Sequence, residues 1–243
     1  MDRELWDAIA RVERRHWWFR GRRELVASVL RERLPQGARV LDIGCGTGFV
    51  LERLLDDFDA HGLEPDPGVR ARASERAAPR IRPGSTDDLS ALGGQTFDAV
   101  LLLDVLEHVD DDVAALRSAR PAIAQGGMLL ATVPAYPGLW SSHDVRNAHR
   151  RRYRRGTLDA ALRAAGYRPV ILSHINSRLL PLAVVHRGLA SLTRYSSERE
   201  LAIPPRRVNE WLYRLFAGEA AGVARGRPFG LSLLAAAVPS AGA

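Results

Sequence analysis

The chain has 243 residues, of which 46% are hydrophobic and 26% charged, which is enough for one well-buried domain but cramped for two. Its formal net charge is +7, yet all 35 of its lysine-plus-arginine positions are arginine, which indicates a GC-rich genome rather than a nucleic-acid partner. A single cysteine, Cys45, excludes a disulfide framework, and no segment suits a signal peptide or a membrane span, so we expect a cytoplasmic protein.

Two helices are predicted before the first strand. Residues 2–16 form a charged amphipathic pattern, and residues 22–33 form a second one. Three consecutive aromatic side chains, Trp17, Trp18 and Phe19, stand between them. Because three successive side chains cannot all face one core, we expect at least one tryptophan to cover a ligand or another chain; plain core packing is the alternative.

A strand at 38–43, a glycine loop and a helix at 48–56 follow. The loop carries three glycines, Gly44, Gly46 and Gly48. They allow positive φ and let a ligand lie against backbone amides. Glu64 ends the next predicted strand, where it can accept hydrogen bonds from ribose hydroxyls. Phe49 stands where a dinucleotide site needs glycine or alanine, so the pattern predicts a nucleoside ligand without a pyrophosphate.

Alternating strands and helices continue along the chain, which predicts an α/β fold. Further strands are predicted at 79–82, 97–103, 128–133, 167–174 and 230–238, and further helices at 67–77, 113–124, 158–165, 179–195 and 206–224. The acidic run at 110–112 precedes one of these helices, so we interpret it as N-capping rather than as a metal site.

These motifs together resemble the class I methyltransferases that use S-adenosylmethionine. Residues 40–48 (VLDIGCGTG) resemble the family's first motif, Glu64 its ribose-binding acid, residues 97–108 its fourth strand and tail, and residues 126–130 the turn into its fifth strand. The resemblance implies a Rossmann-like seven-stranded sheet with helices on both faces, an antiparallel last strand, and S-adenosylmethionine as the cofactor. We divide the chain into an N-terminal helical cap at 1–36, a core at 37–175 and 229–240, and a helical insertion at 176–228.

The resemblance also implies which residues contact the cofactor. These are the loop glycines and Glu64, together with Asp42, Cys45, Pro65, Leu103, Asp104 and His108. In related quinone O-methyltransferases an arginine about twenty residues before the first motif glycine holds the cofactor's carboxylate, and Arg22 and Arg23 stand at that distance; solvated helix charges are the alternative. Many relatives carry Gly-Asp-Ala after the third strand, where this chain has Gly84, Ser85 and Thr86, so Ser85 and Thr86 are the candidates for adenine.

The loop at 136–153 is the predicted place for acceptor chemistry. Methyl transfer needs a base only where the acceptor must lose a proton. His143 and His149 are the candidate bases, with Asp144 to orient an imidazole; hydrogen bonding to the loop backbone is their alternative role. Predicted acceptor contacts are Trp17, Trp18, Tyr136, Trp140, Arg146, Arg150 and Tyr153. The arginines suit an anionic acceptor, although such a run is commonly a solvated face.

The end of the fourth strand is the candidate place for a metal site. In some quinone O-methyltransferases, residues matching Asp104, Glu107 and His108 bind magnesium. The same Glu-His pair stands in many relatives that use no metal, and a hard cation prefers oxygen ligands to imidazole. We therefore predict no metal.

The insertion at 176–228 replaces a turn at the carboxyl edge of the sheet, so we expect it to form a lid or a wall of the substrate pocket. An oligomer interface is one alternative, and the chain is expected to be a monomer or a homodimer. A second alternative is contact of the pattern at 179–195 with an anionic membrane surface.

The predicted function is methyl transfer from S-adenosylmethionine to oxygen of a small molecule of secondary-metabolite, quinone-like or cell-envelope type. Nitrogen or carbon methylation is one alternative, and an RNA methyltransferase or RNA-binding protein using the arginine loop is another. No Asn-Pro-Pro-Tyr-like tetrad for a flipped base follows the fourth strand, so no nucleic-acid partner is expected. The sequence leaves the acceptor unidentified.

Overall fold

The computed structural model describes residues 3–180 and 201–240, which form one seven-stranded sheet in the order β3-β2-β1-β4-β5-β7-β6. The strands are β1 (Arg39–Ile43), β2 (Asp59–Leu63), β3 (Ile81–Arg82), β4 (Phe97–Leu103), β5 (Ile123–Pro134), β6 (Tyr167–Ile175) and β7 (Ser232–Pro239). Strand β7 pairs antiparallel with β5 and with β6, while the other neighbours pair in parallel. The predicted Rossmann-like sheet with an antiparallel last strand is confirmed.

Helices cover both faces of the sheet. They are α1 (Arg3–Val12), α2 (Trp17–Arg31), α3 (Phe49–Leu54), α4 (Pro67–Arg70), α5 (Asp112–Ala119), α6 (Ser142–Arg146), α7 (Arg155–Ala164), α8 (Arg206–Ala217) and α9 (Ala220–Val223). Strand β4 supplies side chains to both cores: Val100 and Leu102 pack in the core with α5 and α7, and Leu101 packs in the core with α2 and α3. Burial on both faces explains why β4 is a continuous apolar run.

Several helix bounds differ from the prediction for local reasons. Helix α2 begins at Trp17 rather than at residue 22, because Nδ1 of His16 accepts a hydrogen bond from the amide of Trp18 and caps the helix. The predicted joint with three aromatics is therefore the first turn of α2. Helix α5 ends at Ala119, shortly before Pro121, rather than continuing to residue 124.

The helix predicted at 206–224 is two helices. The break contains Gly218 and Glu219, and the carboxylate of Glu219 is fully buried. Its two oxygens accept from the amides of Ser177 and Arg178, at 3.0 and 2.9 Å. This buried acid attaches the break to the turn after β6.

The described part of the insertion packs against α2. A Cβ at Gly21 would lie 2.7 Å from Phe216, so the two helices approach closely there. The side chain of Asn209 accepts from the amide of Trp17 at 2.9 Å and donates to the carbonyl of Arg15 at 2.8 Å. The helix predicted at 179–195 lies outside the described residues from 181 onward. Within 3–180 and 201–240, no helix has the length and apolar character needed to cross a membrane.

Candidate cofactor and acceptor site

A loop of glycines joins the end of β1 to the start of α3 at the carboxyl edge of the sheet. The backbone angle φ is 76° at Gly44, 59° at Gly46 and 74° at Gly48, in the left-handed region that favours glycine. The amides of Gly44 and Cys45 donate to the carbonyl of Leu63, at 2.8 and 3.0 Å, so the loop is attached to the end of β2. The turn keeps its backbone accessible to a ligand at this edge.

Glu64 follows β2 directly and is buried beside this loop. One carboxylate oxygen accepts from the amide of Gly46 and the other from the amide of Asp66, both at 3.0 Å. Burial raises the pKa of Glu64, and the two backbone hydrogen bonds partly oppose that shift. A carboxylate has about four lone-pair positions, so each oxygen keeps capacity for another donor. This capacity fits the ribose hydroxyls that the sequence predicts for Glu64.

Asp42 carries a buried carboxylate near the end of β1. Its Oδ1 has no hydrogen-bond partner among the described residues. Burial raises the pKa of Asp42 to about 7, the charge of Arg22 lowers it, and Glu64 raises it further. An unpaired buried carboxylate oxygen is unfavourable unless a ligand supplies the donor. The ammonium group of S-adenosylmethionine is such a donor, so this residue fits the predicted cofactor.

Replacing Asp42 with asparagine is expected to stabilise the ligand-free protein in a pH-dependent way. Between about pH 4 and pH 7 the folded protein retains a proton that the unfolded chain has lost, because the folded-state pKa is raised to about 7. Above pH 7 the ionised carboxylate therefore lowers the free energy of unfolding by roughly 2–4 kcal/mol, which the neutral amide avoids. In thermal melts the gain is expected to be larger at pH 8 than at pH 5; equal gains would contradict the argument.

Arg22 reaches from α2 to the ends of β1 and β4. Its Nη2 lies 2.7 Å from Oδ2 of Asp104. Burial raises the pKa of both Asp42 and Glu107, and the charge of Arg22 opposes both shifts. The Nε of Arg22 is buried and has no hydrogen-bond partner in the described part of the chain. A guanidinium with an unused N–H beside the glycine loop fits a ligand carboxylate.

Asp104 follows β4 in a backbone conformation that residues with a Cβ rarely adopt, with φ of 54°. Its Oδ1 accepts from the hydroxyl of Thr132 at 3.1 Å, and its amide donates to the carbonyl of Thr132 at 2.9 Å. Thr132 on β5 and Arg22 on α2 thus hold this carboxylate in one orientation. Leu103, the preceding residue, is buried in the core.

The side chain of Arg23 packs on α3, whereas that of Arg22 extends to the strand ends. Its guanidinium lies 4.2 Å from the ring centre of Phe49 on α3, and burial lowers its pKa. Successive helical residues point in directions about 100° apart, which separates the two guanidinium groups. The Nε of Arg23, like that of Arg22, is buried without a hydrogen-bond partner in the described part of the chain. Of the predicted pair, Arg22 is the one beside Asp104, and Arg23 packs on α3.

Glu107, His108 and His149 form a cluster just beyond β4. The carboxylate of Glu107 is buried, its Oε2 has no described hydrogen-bond partner, and burial together with Asp104 raises its pKa well above its usual range. Burial, assisted by His149, lowers the pKa of His108 to about 4. The rings of His108 and His149 meet edge to face, with centroids 4.8 Å apart.

Magnesium, which the resemblance raises, does not fit these side chains. The carboxylate of Asp104 is engaged by Arg22 and Thr132. Glu107, His108 and His149 bring one oxygen and two ring nitrogens within 4.8 Å of one another, whereas magnesium prefers oxygen ligands. The positive charge of Arg22 next to Asp104 opposes a further cation.

The methyl transfer that the resemblance implies is accordingly expected to keep its full rate after the protein and its buffers are treated with EDTA. The measurement is the initial rate on a hydroxyl-bearing probe, the catechol 3,4-dihydroxybenzoate, before treatment, after treatment, and after addition of magnesium or zinc. A loss on chelation that either ion restores would contradict the expectation and assign the cluster to a metal.

The loop after β5 contains the fully buried carboxylate of Asp144. Its Oδ1 lies 2.9 Å from Nδ1 of His149, and Arg152 donates to Oδ1 and Oδ2 at 2.7 and 2.8 Å. The amide of Ser141 donates to Oδ2 at 2.8 Å. Burial alone would raise the pKa of Asp144, but the hydrogen bonds from His149 and Arg152 outweigh it and hold the pKa well below its usual range. Asp144 is therefore an ionised anchor for this loop.

The two predicted bases lie in the same loop cluster. The ring of His143 meets the ring of His149 edge to face, with centroids 5.9 Å apart. The pairing of an imidazole with Asp144, which the sequence suggested, involves His149. His149 also contacts the ring of His108, which connects the loop to the end of β4.

Arginines of the same loop bind protein groups. Arg150 donates through Nε to the carbonyl of His108 at 2.9 Å and pairs with Asp110 at 2.5 Å. Arg151 donates to the carbonyls of Val109 and Asp110, at 2.9 and 2.6 Å. These contacts attach the loop to the segment between β4 and α5. Arg150 thus has protein partners in this structure, and its contact with an anionic acceptor stays a prediction.

The hydroxyl of Tyr153 also hydrogen-bonds to groups of the protein. It is buried, and its hydroxyl donates to the carboxylate of Asp112 at 2.6 Å and lies 3.2 Å from the carbonyl of Leu106. Burial and the neighbouring Asp112 raise the pKa of Tyr153. This side chain packs between the loop and α5, and its role as an acceptor contact stays a prediction.

The predicted aromatic contacts occupy different positions. Tyr136, at the end of β5, has a φ of 59°, and its ring stacks on His174 with centroids 5.3 Å apart. Trp140 in the same loop is 43% exposed. The guanidinium carbon of Arg22 lies over the ring of Trp18, 5.5 Å from the ring centre.

Trp17 faces the insertion instead of the strand ends. Its ring packs edge to face on Phe216 of α8, with centroids 6.2 Å apart. This contact fits the core-packing alternative for Trp17. Arg146, the remaining predicted acceptor contact, is the last residue of α6.

The residues predicted near adenine and ribose lie around the ends of β2 and β3. Ser85 exchanges backbone hydrogen bonds with Asp88 in a tight turn, and Thr86 is buried. Pro65 is exposed beside Glu64. The thiol of Cys45 is buried in the glycine loop, and burial raises its pKa.

Two contacts to the glycine loop come from the N-terminal cap and were not predicted from the sequence. The hydroxyl of Thr47 lies 2.9 and 2.8 Å from the two carboxylate oxygens of Glu13, which is buried and has a pKa raised by that burial. A Cβ at Gly46 would lie 3.1 Å from the indole of Trp6. One acid in a charged helical pattern carries no signal of burial, so the contact of Glu13 with Thr47 could not be predicted from the sequence.

Comparisons with known proteins identify the family and the fold of the chain. A family model described as a methyltransferase domain matches residues 14–172. The chain is 35% identical over 143 residues to the ubiquinone biosynthesis O-methyltransferase of Xanthomonas axonopodis, which covers 56% of this chain and 59% of that protein. It is 37% identical over 103 residues to the corresponding protein of Azorhizobium caulinodans, covering 40% of each. The chain thus spans less than two thirds of these relatives' length.

Solved structures share the fold. A methyltransferase of Thermotoga maritima, described as a possible histamine N-methyltransferase, has a TM-score of 0.59 at 19% identity, covering 96% of this chain and 99% of that one. A putative methyltransferase of Haloferax volcanii, solved with the Trm112 activator, has a TM-score of 0.59 at 19% identity, covering 97% of both chains. At such identity the likeness extends to the fold alone.

Proposed function

The chain belongs to the methyltransferase domain family, and we propose that it transfers a methyl group from S-adenosylmethionine to a hydroxyl oxygen of a small-molecule acceptor. The observation that carries the proposal is the pair formed by His149 and Asp144, which lies against His108 just beyond β4. A base at the carboxyl edge of the sheet is what a hydroxyl acceptor requires. The relatives named for ubiquinone biosynthesis support an oxygen acceptor of quinone-like kind.

Three side chains orient the cofactor in this proposal. When bound, S-adenosylmethionine supplies a methyl group activated by its sulfonium. Glu64 accepts hydrogen bonds from the ribose hydroxyls, and Asp42 accepts one from the ammonium group through its unpaired Oδ1. Arg22 donates to the carboxylate through its unpaired Nε. These contacts fix the methyl donor, so that proximity supplies much of the rate.

The proton of the acceptor hydroxyl passes to His149. Because Asp144 is ionised and can only accept, Nδ1 of His149 carries the proton of their shared hydrogen bond. Nε2 then holds a lone pair that would take the proton of an acceptor hydroxyl. The resulting imidazolium is stabilised by the carboxylate of Asp144.

We also propose that the insertion at 176–228 helps to enclose the acceptor. Its helix α8 is fastened to the first turn of α2 by Asn209, and Arg20 pairs with Glu210 at 3.1 Å. The same turn of α2 carries Trp18, which lies against Arg22. Movement of α8 would therefore be transmitted to the side of the site that faces the acceptor.

A nucleic-acid substrate receives less support. Arg150, Arg151 and Arg152, which such a partner would need, are paired with carboxylates and carbonyls of the protein. In a filter-binding assay we expect only weak binding of RNA. Tight binding that falls steeply with salt would favour the RNA alternative.

Three matched benzoates test the proposal, with S-adenosylmethionine labelled on its methyl group. The catechol 3,4-dihydroxybenzoate is expected to accept the label, while 3,4-dimethoxybenzoate, which has no free hydroxyl, is not. Methylation of 3,4-diaminobenzoate alone would contradict an oxygen acceptor. Heat stabilisation by the cofactor without turnover on a wider panel of phenols and quinols would contradict the enzymatic proposal.

A further inference from the structure

The guanidinium of Arg152 lies in the interior of the loop after β5, with its side chain 4% exposed. It donates hydrogen bonds to both carboxylate oxygens of Asp144. Its Nε donates to Oδ1 at 2.7 Å, and its Nη2 donates to Oδ2 at 2.8 Å. Its remaining terminal nitrogen, Nη1, donates to the carbonyl of Ala135 at 3.2 Å, just past β5. Arg152 thus connects Asp144 to the carboxyl edge of the sheet.

This bidentate contact does more than neutralise a buried charge. Two parallel hydrogen bonds from a planar guanidinium fix the plane of the carboxylate. The same Oδ1 that accepts from Arg152 also lies 2.9 Å from Nδ1 of His149. Since hydrogen bonds at a carboxylate oxygen prefer its plane, the plane set by Arg152 also sets the direction of the bond to the imidazole.

We propose that Arg152 is a positioning residue for methyl transfer, which acts through Asp144 to hold His149 with Nδ1 protonated and Nε2 directed at the acceptor. This inference rests on the proposed function of His149 as the base. Without Arg152, the plane of the Asp144 carboxylate is no longer fixed, and its pKa rises because the hydrogen bonds and the charge of Arg152 are lost. The hydrogen bond to Nδ1 then loses its fixed direction, so His149 would lose its single tautomer.

Charged groups from each neighbouring element surround this network. His143 lies on the same loop, and Glu107 and His108 come from the segment after β4. Farther away, Asp104 and Arg22 act on Glu107. All of these groups are retained in an Arg152 variant. Because the charge of Arg152 also lowers the pKa of Glu107, variant and parent are compared at more than one pH.

The first test is spectroscopic and needs no acceptor. Nitrogen-15 NMR of the histidine rings, in the complex with S-adenosylhomocysteine, reports the tautomer of His149. The parent is expected to show a protonated Nδ1 shielded from exchange at pH 6 and pH 8. Arg152→Gln is expected to lose this signal at pH 6, whereas the control Arg151→Gln keeps it, since Arg151 pairs with Asp112 and loop carbonyls.

The second test separates orientation from charge. With 3,4-dihydroxybenzoate as the acceptor, Arg152→Gln is expected to lower kcat by roughly 100-fold and to leave the affinity for S-adenosylmethionine unchanged. Arg152→Lys keeps the charge without the planar fork, so it is expected to restore the melting temperature but not kcat. Full recovery of kcat by lysine would overturn the proposal, because charge alone would then suffice.

The NMR test and the kinetic test distinguish a failure of the proposed function from a failure of the role inferred for Arg152. If the parent methylates none of the hydroxyl probes, the proposed function fails, while the NMR comparison still decides the role of Arg152. An unchanged Nδ1 signal of His149 in both Arg152 variants would overturn the inference whatever the activity. If Arg152→Gln does not fold, the lysine variant carries both measurements.

Discussion

Replacing His149 with glutamine is expected to lower kcat for methyl transfer to 3,4-dihydroxybenzoate by about 100- to 1,000-fold, because glutamine cannot take the hydroxyl proton. The affinity for S-adenosylmethionine is expected to stay the same, since the proposal assigns the cofactor's ribose, ammonium group and carboxylate to Glu64, Asp42 and Arg22. Steady-state kinetics and calorimetric titration of the cofactor measure the two quantities separately.

Two further histidine variants are needed to assign the effect to the loss of a base. His61→Gln is the matched control, because His61 lies in the middle of β2 and pairs with Asp59, away from the strand ends. His143→Gln decides between the two candidate bases. A greater loss of kcat for His143→Gln than for His149→Gln would contradict the assignment of the base. Equal rates for all three variants and the parent would mean that the acceptor needs no base.

Replacing Arg22 with alanine is expected to weaken binding of S-adenosylmethionine by roughly 100-fold, equivalent to about 3 kcal/mol. The change removes the donor proposed for the cofactor's carboxylate. It also leaves Asp42, Asp104 and Glu107 without the positive charge that offsets them. Calorimetric titration at pH 8 measures the effect.

Arg31→Ala serves as the control on the same helix. Arg31 is at the end of α2 and is partly exposed, where it pairs with Asp57 and Ser28, so its loss is expected to change cofactor affinity by less than about twofold. Arg22→Lys is expected to fall between parent and alanine, because lysine keeps the charge but cannot form the paired hydrogen bonds of a guanidinium. Cofactor affinity in Arg22→Ala equal to that of the control would exclude Arg22 from the cofactor site.

Features read from local pattern agree well with the structure. Strand β4 has the predicted bounds, because a run of apolar residues buried on both faces is unambiguous. The glycine loop has the predicted positive φ at Gly44, Gly46 and Gly48, since that turn depends on residues adjacent in the chain. Glu64 lies beside the loop because the ends of neighbouring parallel strands meet at one edge.

Features that depend on contacts between residues far apart in the chain could not be predicted from the sequence. Arg22 and Arg23 are chemically identical and adjacent, and only the packing of α2 separates the one beside Asp104 from the one on Phe49. The start of α2 at Trp17 depended on capping by His16, a residue type that is seldom the N-cap.

The sequence by itself determined the seven-stranded sheet and the positions of the cofactor motifs in it, because both depend on short motifs and hydrophobic periodicity. The tertiary structure alone decided which protein groups the charged loop after β5 meets. There Arg150 binds a carbonyl 42 residues away and Tyr153 a carboxylate 41 residues away. A run of charges looks the same in sequence whether it is solvated, bound to a ligand or paired internally, and only folding brings in the partners that distinguish these cases.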